Sequence, residues 1–118
     1  MIEASCHCGS VRFEIAERPG RLTSCNCSLC HRLGTLWAYY PPKQVKILAD
    51  PAATVAYVQG DKTLRMFHCS TCGCTTHWLS INEGADRMAV NARLMPPAEI
   101  AGVPVRHFDG AVTWQYLD

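Results

Sequence analysis

Two short cysteine pairs decide how this chain can fold: Cys6-His7-Cys8-Gly9 near the amino terminus and Cys69-Ser70-Thr71-Cys72-Gly73 in mid-chain. Thiols one or two residues apart do not easily form a disulfide with each other, but they converge readily on one tetrahedral metal ion. The glycine that follows each pair eases the sharp turn that such a site needs. The spacing therefore predicts one structural zinc site on Cys6, Cys8, Cys69 and Cys72, which ties the first strand to the middle of the fold.

A third cluster, Cys25-Asn26-Cys27-Ser28-Leu29-Cys30, offers three more thiols from one segment. Cys27 and Cys30 have the i, i+3 spacing of a helical turn, so both side chains can face one point. Three protein ligands and one exchangeable position are the usual arrangement of a catalytic zinc ion. We therefore expect a second zinc ion on this triplet, open to a thiol substrate. The alternative is a second structural site completed by Cys74 or a histidine.

Composition limits the roles that eight cysteines can have in a chain of this length. The amino terminus has neither the charged nor the apolar region of a secretory signal, so we expect a cytoplasmic protein with reduced thiols. Disulfides and an iron–sulfur cluster on the triplet are the competing interpretations. A formal net charge of +1, without a basic run, argues against nucleic acid or a membrane as the main partner.

The hydrophobic pattern predicts a mainly β fold with short helical turns, in a single domain spanning residues 1–118. Val11, Phe13 and Ile15 alternate with charged residues, as in a half-buried strand. We expect helical turns from Ser28 to Gly34 and from Pro97 to Gly102. The other predicted strands are Leu22–Ser24, Leu36–Tyr40, Val45–Leu48, Thr54–Val58, Leu64–His68, Thr75–Ser80, Met88–Ala92 and Val105–Phe108.

Several residues outside the clusters are weaker candidates for the site. Cys74 either approaches the triplet or is a buried thiol. His77 and Trp78 either line a pocket or form a packed aromatic pair. Core positions are expected for the aromatic residues Trp37, Tyr39, Tyr40 and Trp114. The cationic candidates for binding a ligand's carboxylate are Arg93, Arg32 and Arg12.

The three clusters in this order, followed by Asn91-Ala92-Arg93-Leu94, resemble the family of glutathione-dependent formaldehyde-activating enzymes, which includes the domain of centromere protein V. The resemblance runs from about Ile2 to Asp109. It implies a β-tent fold of small antiparallel sheets, stabilised by zinc. It also implies a structural zinc ion on Cys6, Cys8, Cys69 and Cys72, and a catalytic zinc ion on Cys25, Cys27 and Cys30.

The activity that the resemblance implies is a carbon–sulfur lyase reaction, in which glutathione and formaldehyde combine to give S-hydroxymethylglutathione. The small-molecule partner would then be a thiol such as glutathione. A zinc-stabilised module that binds a thiol or a protein without catalysis is the main alternative. A methionine sulfoxide reductase would need a nucleophilic cysteine outside the zinc sites, and Cys74 alone qualifies. A nucleotide-exchange or chaperone role would need an exposed apolar patch.

Overall fold

The computed structural model describes all residues, 1–118, and its architecture is mainly β. Two short α-helices are present, α1 (Ser28–Leu33) and α2 (Pro97–Ile100), and three single 3-10 turns lie between strands. The strands are β1 (Ile2–Ser5), β2 (Arg12–Ile15), β3 (Leu22–Cys25), β4 (Trp37–Tyr40), β5 (Val45–Leu48), β6 (Thr54–Tyr57), β7 (Leu64–Cys69), β8 (Thr75–Ser80), β9 (Met88–Asn91), β10 (Val105–Asp109) and β11 (Gln115–Tyr116).

The strands form two sheets. A three-stranded sheet has the order β1-β2-β5, and an eight-stranded sheet has the order β11-β10-β3-β4-β9-β8-β7-β6. Every pairing is antiparallel except that of β3 with β10, which run parallel. The predicted mainly β fold with short helices is confirmed, and each predicted strand contains an observed one or overlaps it. Strands β1 and β11 were not predicted.

The two faces of the large sheet have different roles. One face packs against the small sheet and forms the main core, where Phe13 and Ile15 of β2 meet Leu22, Met88 and their neighbours. On the other face a second, smaller cluster is built around Trp37, Met66 and Trp78. Because side chains alternate between the faces of a strand, these residues project away from the main core. The second face is therefore the one free to carry a binding site.

Both predicted helical turns are present. Helix α1 begins after Cys27, whose sulfur accepts a hydrogen bond from the backbone N–H of Cys30 at 3.3 Å. It ends at Gly34, which has a left-handed conformation with φ of 66°. Helix α2 has proline in its first turn, where the missing N–H costs nothing. Neither helix has the length and apolar composition required to cross a bilayer.

Candidate metal centres and the adjoining pocket

The four-cysteine cluster joins the two sheets. Cys6 and Cys8 lie in the turn after β1, Cys69 ends β7, and Cys72 lies in the turn before β8. All four sulfurs lie within 4.8 Å of one another. The Cys6–Cys8 sulfur separation is 3.7 Å and the Cys8–Cys69 separation is 3.6 Å. A tetrahedron with zinc–sulfur bonds of about 2.3 Å has sulfur–sulfur edges of roughly 3.8 Å, so the cluster could hold such an ion.

Backbone geometry shapes both halves of this cluster. Gly9 and Gly73 have φ of 84° and 80°, values that a residue with a side chain rarely adopts. Backbone N–H groups point at the sulfurs, from Val11 to Cys6 at 3.3 Å and from Thr71 to Cys69 at 3.4 Å. N–H donors of this kind favour thiolates, which are the metal-binding form of cysteine.

Two of the four thiols, those of Cys72 and Cys6, differ in acidity. Hydrogen bonding, led by the backbone N–H of Cys74, lowers the pKa of Cys72 to about 5. Burial raises the pKa of Cys6 to about 11, because the interior disfavours its charged form. A divalent cation would supply the charge that allows all four sulfurs to be thiolates together.

The triplet lies on the second face of the large sheet. Cys25 ends β3, Cys27 caps α1 and Cys30 lies in the first turn of that helix. Their sulfurs lie within 4.8 Å of one another, and no other Cys, His, Asp or Glu joins the group. Cys74 therefore does not complete the triplet. It is half-buried near Cys72, beside the four-cysteine cluster.

Hydrogen bonds hold the three sulfurs in place. The indole N–H of Trp37 donates to the sulfur of Cys30 at 3.5 Å, and the backbone N–H of Cys27 lies 3.5 Å from the sulfur of Cys25. A hydrogen bond with the thiol of Cys30 lowers the pKa of Cys25 to about 6. The same bond, together with burial, raises the pKa of Cys30. The hydrogen bond with Cys30 thus favours the thiolate form of Cys25.

A turn from the carboxyl-terminal region closes over the triplet. The parallel pairing of β10 with β3 places Phe108 opposite Cys25. Asn26 fastens the turn, because its amide donates to Asp109 at 3.0 Å and its side-chain oxygen accepts from the N–H of Ala111 at 3.0 Å. A Cβ atom on Gly110 would lie 2.8 Å from the sulfur of Cys25, which is too close for van der Waals contact. Only glycine fits here.

Gly110→Ala is expected to displace Cys25 and to weaken metal binding at the triplet. The expected loss is roughly 10-fold to 100-fold, the range observed when the surroundings of a metal ligand are disturbed. Competition with a chromophoric chelator measures the affinity. Gly84→Ala is the matched control, because its Cβ would meet nothing closer than 3.6 Å. An unchanged affinity in Gly110→Ala would contradict this account of the turn.

The triplet opens into a cavity of about 700 Å³ with aromatic walls. Seven of the ten aromatic residues of the chain line it, including all three tryptophans. The expectation that Trp114 lies in the core is wrong: its side chain is 69% exposed, and its backbone has φ of 61°. Left-handed backbone in a residue other than glycine is strained and is often found at functional sites. The aromatic wall consists of Trp37, Tyr39, Tyr57, Trp78, Phe108, Trp114 and Tyr116.

His77 and Trp78 lie on opposite faces of β8. His77 is buried in the main core, stacked on Phe67 with ring centroids 4.4 Å apart, and its Nδ1 lies 2.8 Å from the hydroxyl of Thr76. Burial lowers the pKa of His77 to about 4, so the ring is neutral. Trp78 lines the cavity. Of the two, only Trp78 is a site residue.

The predicted cationic residues do not line the cavity. Arg93 donates from Nε to the carbonyl oxygen of Gly34 at 3.0 Å, and Arg32 donates to that of Ser28 at 2.8 Å. Arg12 lies in β2, in the other sheet. The cation of the cavity is Arg87, whose guanidinium lies 4.7 Å from the ring centre of Tyr39. Arg87 has no local motif around it, so sequence reasoning missed it.

A mainly β scaffold with one cluster of four thiols and one of three defines a class of proteins that could hold two metal ions, one of them facing a cavity. The sequence matches the family described as "Glutathione-dependent formaldehyde-activating enzyme" over residues 1–104, so the chain belongs to that family.

Comparison with solved structures supports the fold. The crystal structure of a Rhodobacter sphaeroides protein, a structural genomics target, is similar to this chain with a TM-score of 0.72. The two sequences are 25% identical, and the match covers 88% of this chain and 99% of that one. No curated protein matches the sequence significantly.

Proposed function

We propose that this protein is a zinc-dependent carbon–sulfur lyase that acts on a small thiol adduct, with glutathione and formaldehyde as the leading pair. The observation that carries the proposal is the triplet: three sulfurs within 4.8 Å, without a fourth protein ligand, at the wall of a 700 Å³ cavity. Family membership supports glutathione as the thiol. Sulfur donors suit zinc, and three protein ligands with an open position are typical of catalytic zinc.

The proposed division of labour gives the two clusters different tasks. Cys6, Cys8, Cys69 and Cys72 would hold a structural zinc ion, and Cys25, Cys27 and Cys30 would hold the catalytic one. The catalytic zinc ion would supply a position at which an incoming thiol loses its proton readily and its sulfur is held. We place this activity in a single domain, residues 1–118, of a cytoplasmic protein.

The residues of the chain hold the sulfurs and shape the space in which the reactants would meet. Trp37 fixes Cys30 through the indole N–H, and the turn at Gly110 covers Cys25. The aromatic walls provide an apolar space beside the sulfurs, in which a carbonyl compound can approach the bound thiol. In the reaction a bond forms between the thiol sulfur and the carbonyl carbon. The carbonyl oxygen becomes a hydroxyl with the proton that the thiol gives up, so no oxidant or reductant is needed.

The test is turnover measured by exchange NMR between glutathione and S-hydroxymethylglutathione in the presence of formaldehyde. The uncatalysed reaction is the baseline. We expect the two-zinc protein to raise the exchange rate saturably, and S-methylglutathione to bind more weakly than glutathione because its sulfur carries no proton to lose.

Two results would contradict parts of the proposal. Equal affinity for glutathione and S-methylglutathione would show that the free thiol does not meet the metal. Saturable thiol binding without turnover would keep the site but make the protein a binding module, the alternative that the sequence left open.

A further inference from the structure

A second cavity adjoins the aromatic one and is rich in arginine. It measures about 580 Å³ and shares Tyr39 and Arg87 with the first cavity. Its other cations are Arg18 and Arg21, and its one acidic residue is Glu17. We call this second cavity the arginine groove. Three guanidinium groups and one carboxylate give the arginine groove a net positive charge. It lies beside the first cavity, into which the triplet opens and which we call the thiol cavity.

The cations of the arginine groove are not neutralised by carboxylates within the protein. None of the three belongs to an ion pair. Arg18 donates to the backbone carbonyl oxygens of Glu99 and Ala101 at 2.7 and 2.6 Å. Arg21 and Arg87 instead lie over aromatic rings. The positive charge of all three guanidinium groups is therefore not compensated by an ion pair within the protein.

Arg21 lies over Tyr116, with its guanidinium carbon 5.1 Å from the ring centre, and Arg87 lies over Tyr39. A guanidinium stacked on a ring keeps its N–H edge free, and that edge matches a carboxylate or phosphate. Both rings also line the thiol cavity. Arg21 and Arg87 are therefore the two cations best placed to meet an anion that extends from that cavity.

Strand geometry sets the distance between the arginine groove and the triplet. Arg21 directly precedes β3 and Cys25 ends it, four residues further on and on the same face. Their Cα atoms are thus roughly 13 Å apart along the strand. Arg87 lies at the same end of the sheet, because it precedes Met88, which pairs with Tyr40. A ligand that touches both places needs several bonds between its sulfur and its anionic group.

We propose that the arginine groove is an anion subsite, in which Arg21 and Arg87 bind the carboxylate or phosphate of a thiol whose sulfur lies at the triplet. The inference rests on the proposed function and narrows its substrate to long thiols that carry a negative charge. Neutral thiols and short thiol acids would occupy the triplet without reaching the groove.

The test compares anionic thiols with analogues that lack the anionic groups, by titration of the two-zinc protein at low salt. One pair is glutathione and its diethyl ester, which lacks both carboxylates. The second pair is 4′-phosphopantetheine and pantetheine, which tests phosphate as the anion. We expect the charged member of at least one pair to bind roughly tenfold more tightly, with the gain shrinking as salt rises. We expect 2-sulfanylacetate, whose carboxylate is too close to its sulfur, to bind no better than 2-sulfanylethanol.

Two substitutions test whether the gain in affinity for charged thiols comes from the arginine groove. Arg21→Gln and Arg87→Gln are expected to remove most of it, while both neutral thiols keep their affinity. Arg65→Gln is the matched control, since Arg65 is exposed on β7 between two cavity residues and so points to the opposite face. The proposal would be overturned if the Arg21→Gln/Arg87→Gln double variant kept the gain in affinity. It would also be overturned if no charged thiol bound more tightly than its neutral analogue.

Failure of the proposed function would look different. If 2-sulfanylethanol and every other thiol left the two-zinc protein unoccupied, the open site at the triplet would be wrong and the subsite would fall with it. If neutral thiols bound and charge added nothing, the arginine groove alone would be wrong.

Discussion

Cys69→Ser is expected to leave the protein unfolded or insoluble. Cys69 ends β7, and its sulfur lies 3.6 Å from that of Cys8, so its loss breaks the cluster that joins the two sheets. A structural zinc ion contributes on the order of 10 kcal/mol, and a domain of this size is stable by only about 5 to 15 kcal/mol. Circular dichroism and thermal melting of the purified variant measure the effect.

Cys74→Ser is the matched control for this experiment. Cys74 lies beside the same cluster but is not one of its four cysteines, and its side chain is only half-buried. We expect a folded protein that is less stable by about 1 kcal/mol. A Cys69→Ser variant that melted like the wild type would show that the cluster has no structural role.

Cys27→Ser is expected to leave the fold intact while one metal equivalent and all turnover above the uncatalysed rate are lost. The cluster offers a metal ion only three thiols, so one substitution should lower metal affinity by more than the roughly 100-fold caused by disturbing the surroundings of a ligand. The helix should persist, because serine caps a helix at least as well as the cysteine it replaces. Metal analysis and exchange NMR measure the two losses, with Cys74→Ser again as the control.

Local spacing explains why the clusters could be predicted from the sequence. Each cysteine pair lies in one turn, and a turn of three or four residues has few conformations, so the sulfurs of Cys69 and Cys72 must converge. The predicted strand around Phe13 followed from strict alternation in the same way. The same alternation is present at Ile2 and Ala4 in β1, where both side chains are buried, and it could have revealed that strand.

The walls of the cavity could not be predicted, because distant segments build them. Gly110 and Trp114 reach the triplet only through the parallel pairing of β10 with β3, and a pairing between strands so far apart leaves no local pattern. Both residues also lie beyond residues 1–104, the stretch that matches the family. In the sequence, Asp109-Gly110 is a dipeptide typical of a turn, and nothing around it indicates a site.

The cationic residues show the same limit. Arg93 stood in a motif, but its side chain is used to hold the carbonyl of Gly34, at the end of α1. Arg87 stood in no motif, and its position depends on the pairing of β9 with β4 and on the ring of Tyr39. From the sequence alone, an arginine that is free to bind a ligand cannot be distinguished from one that stabilises the fold.

Stepwise chelation of the wild-type protein is the most direct test of the division into a closed structural site and an open functional one. Metal content and circular dichroism are followed together as chelator is added. We predict that one equivalent leaves first while the fold persists, since three ligands from one segment at the wall of an open cavity release metal more easily than four ligands from two segments. The spectrum should change only when the second equivalent leaves. Simultaneous loss of both metals with unfolding would contradict the account.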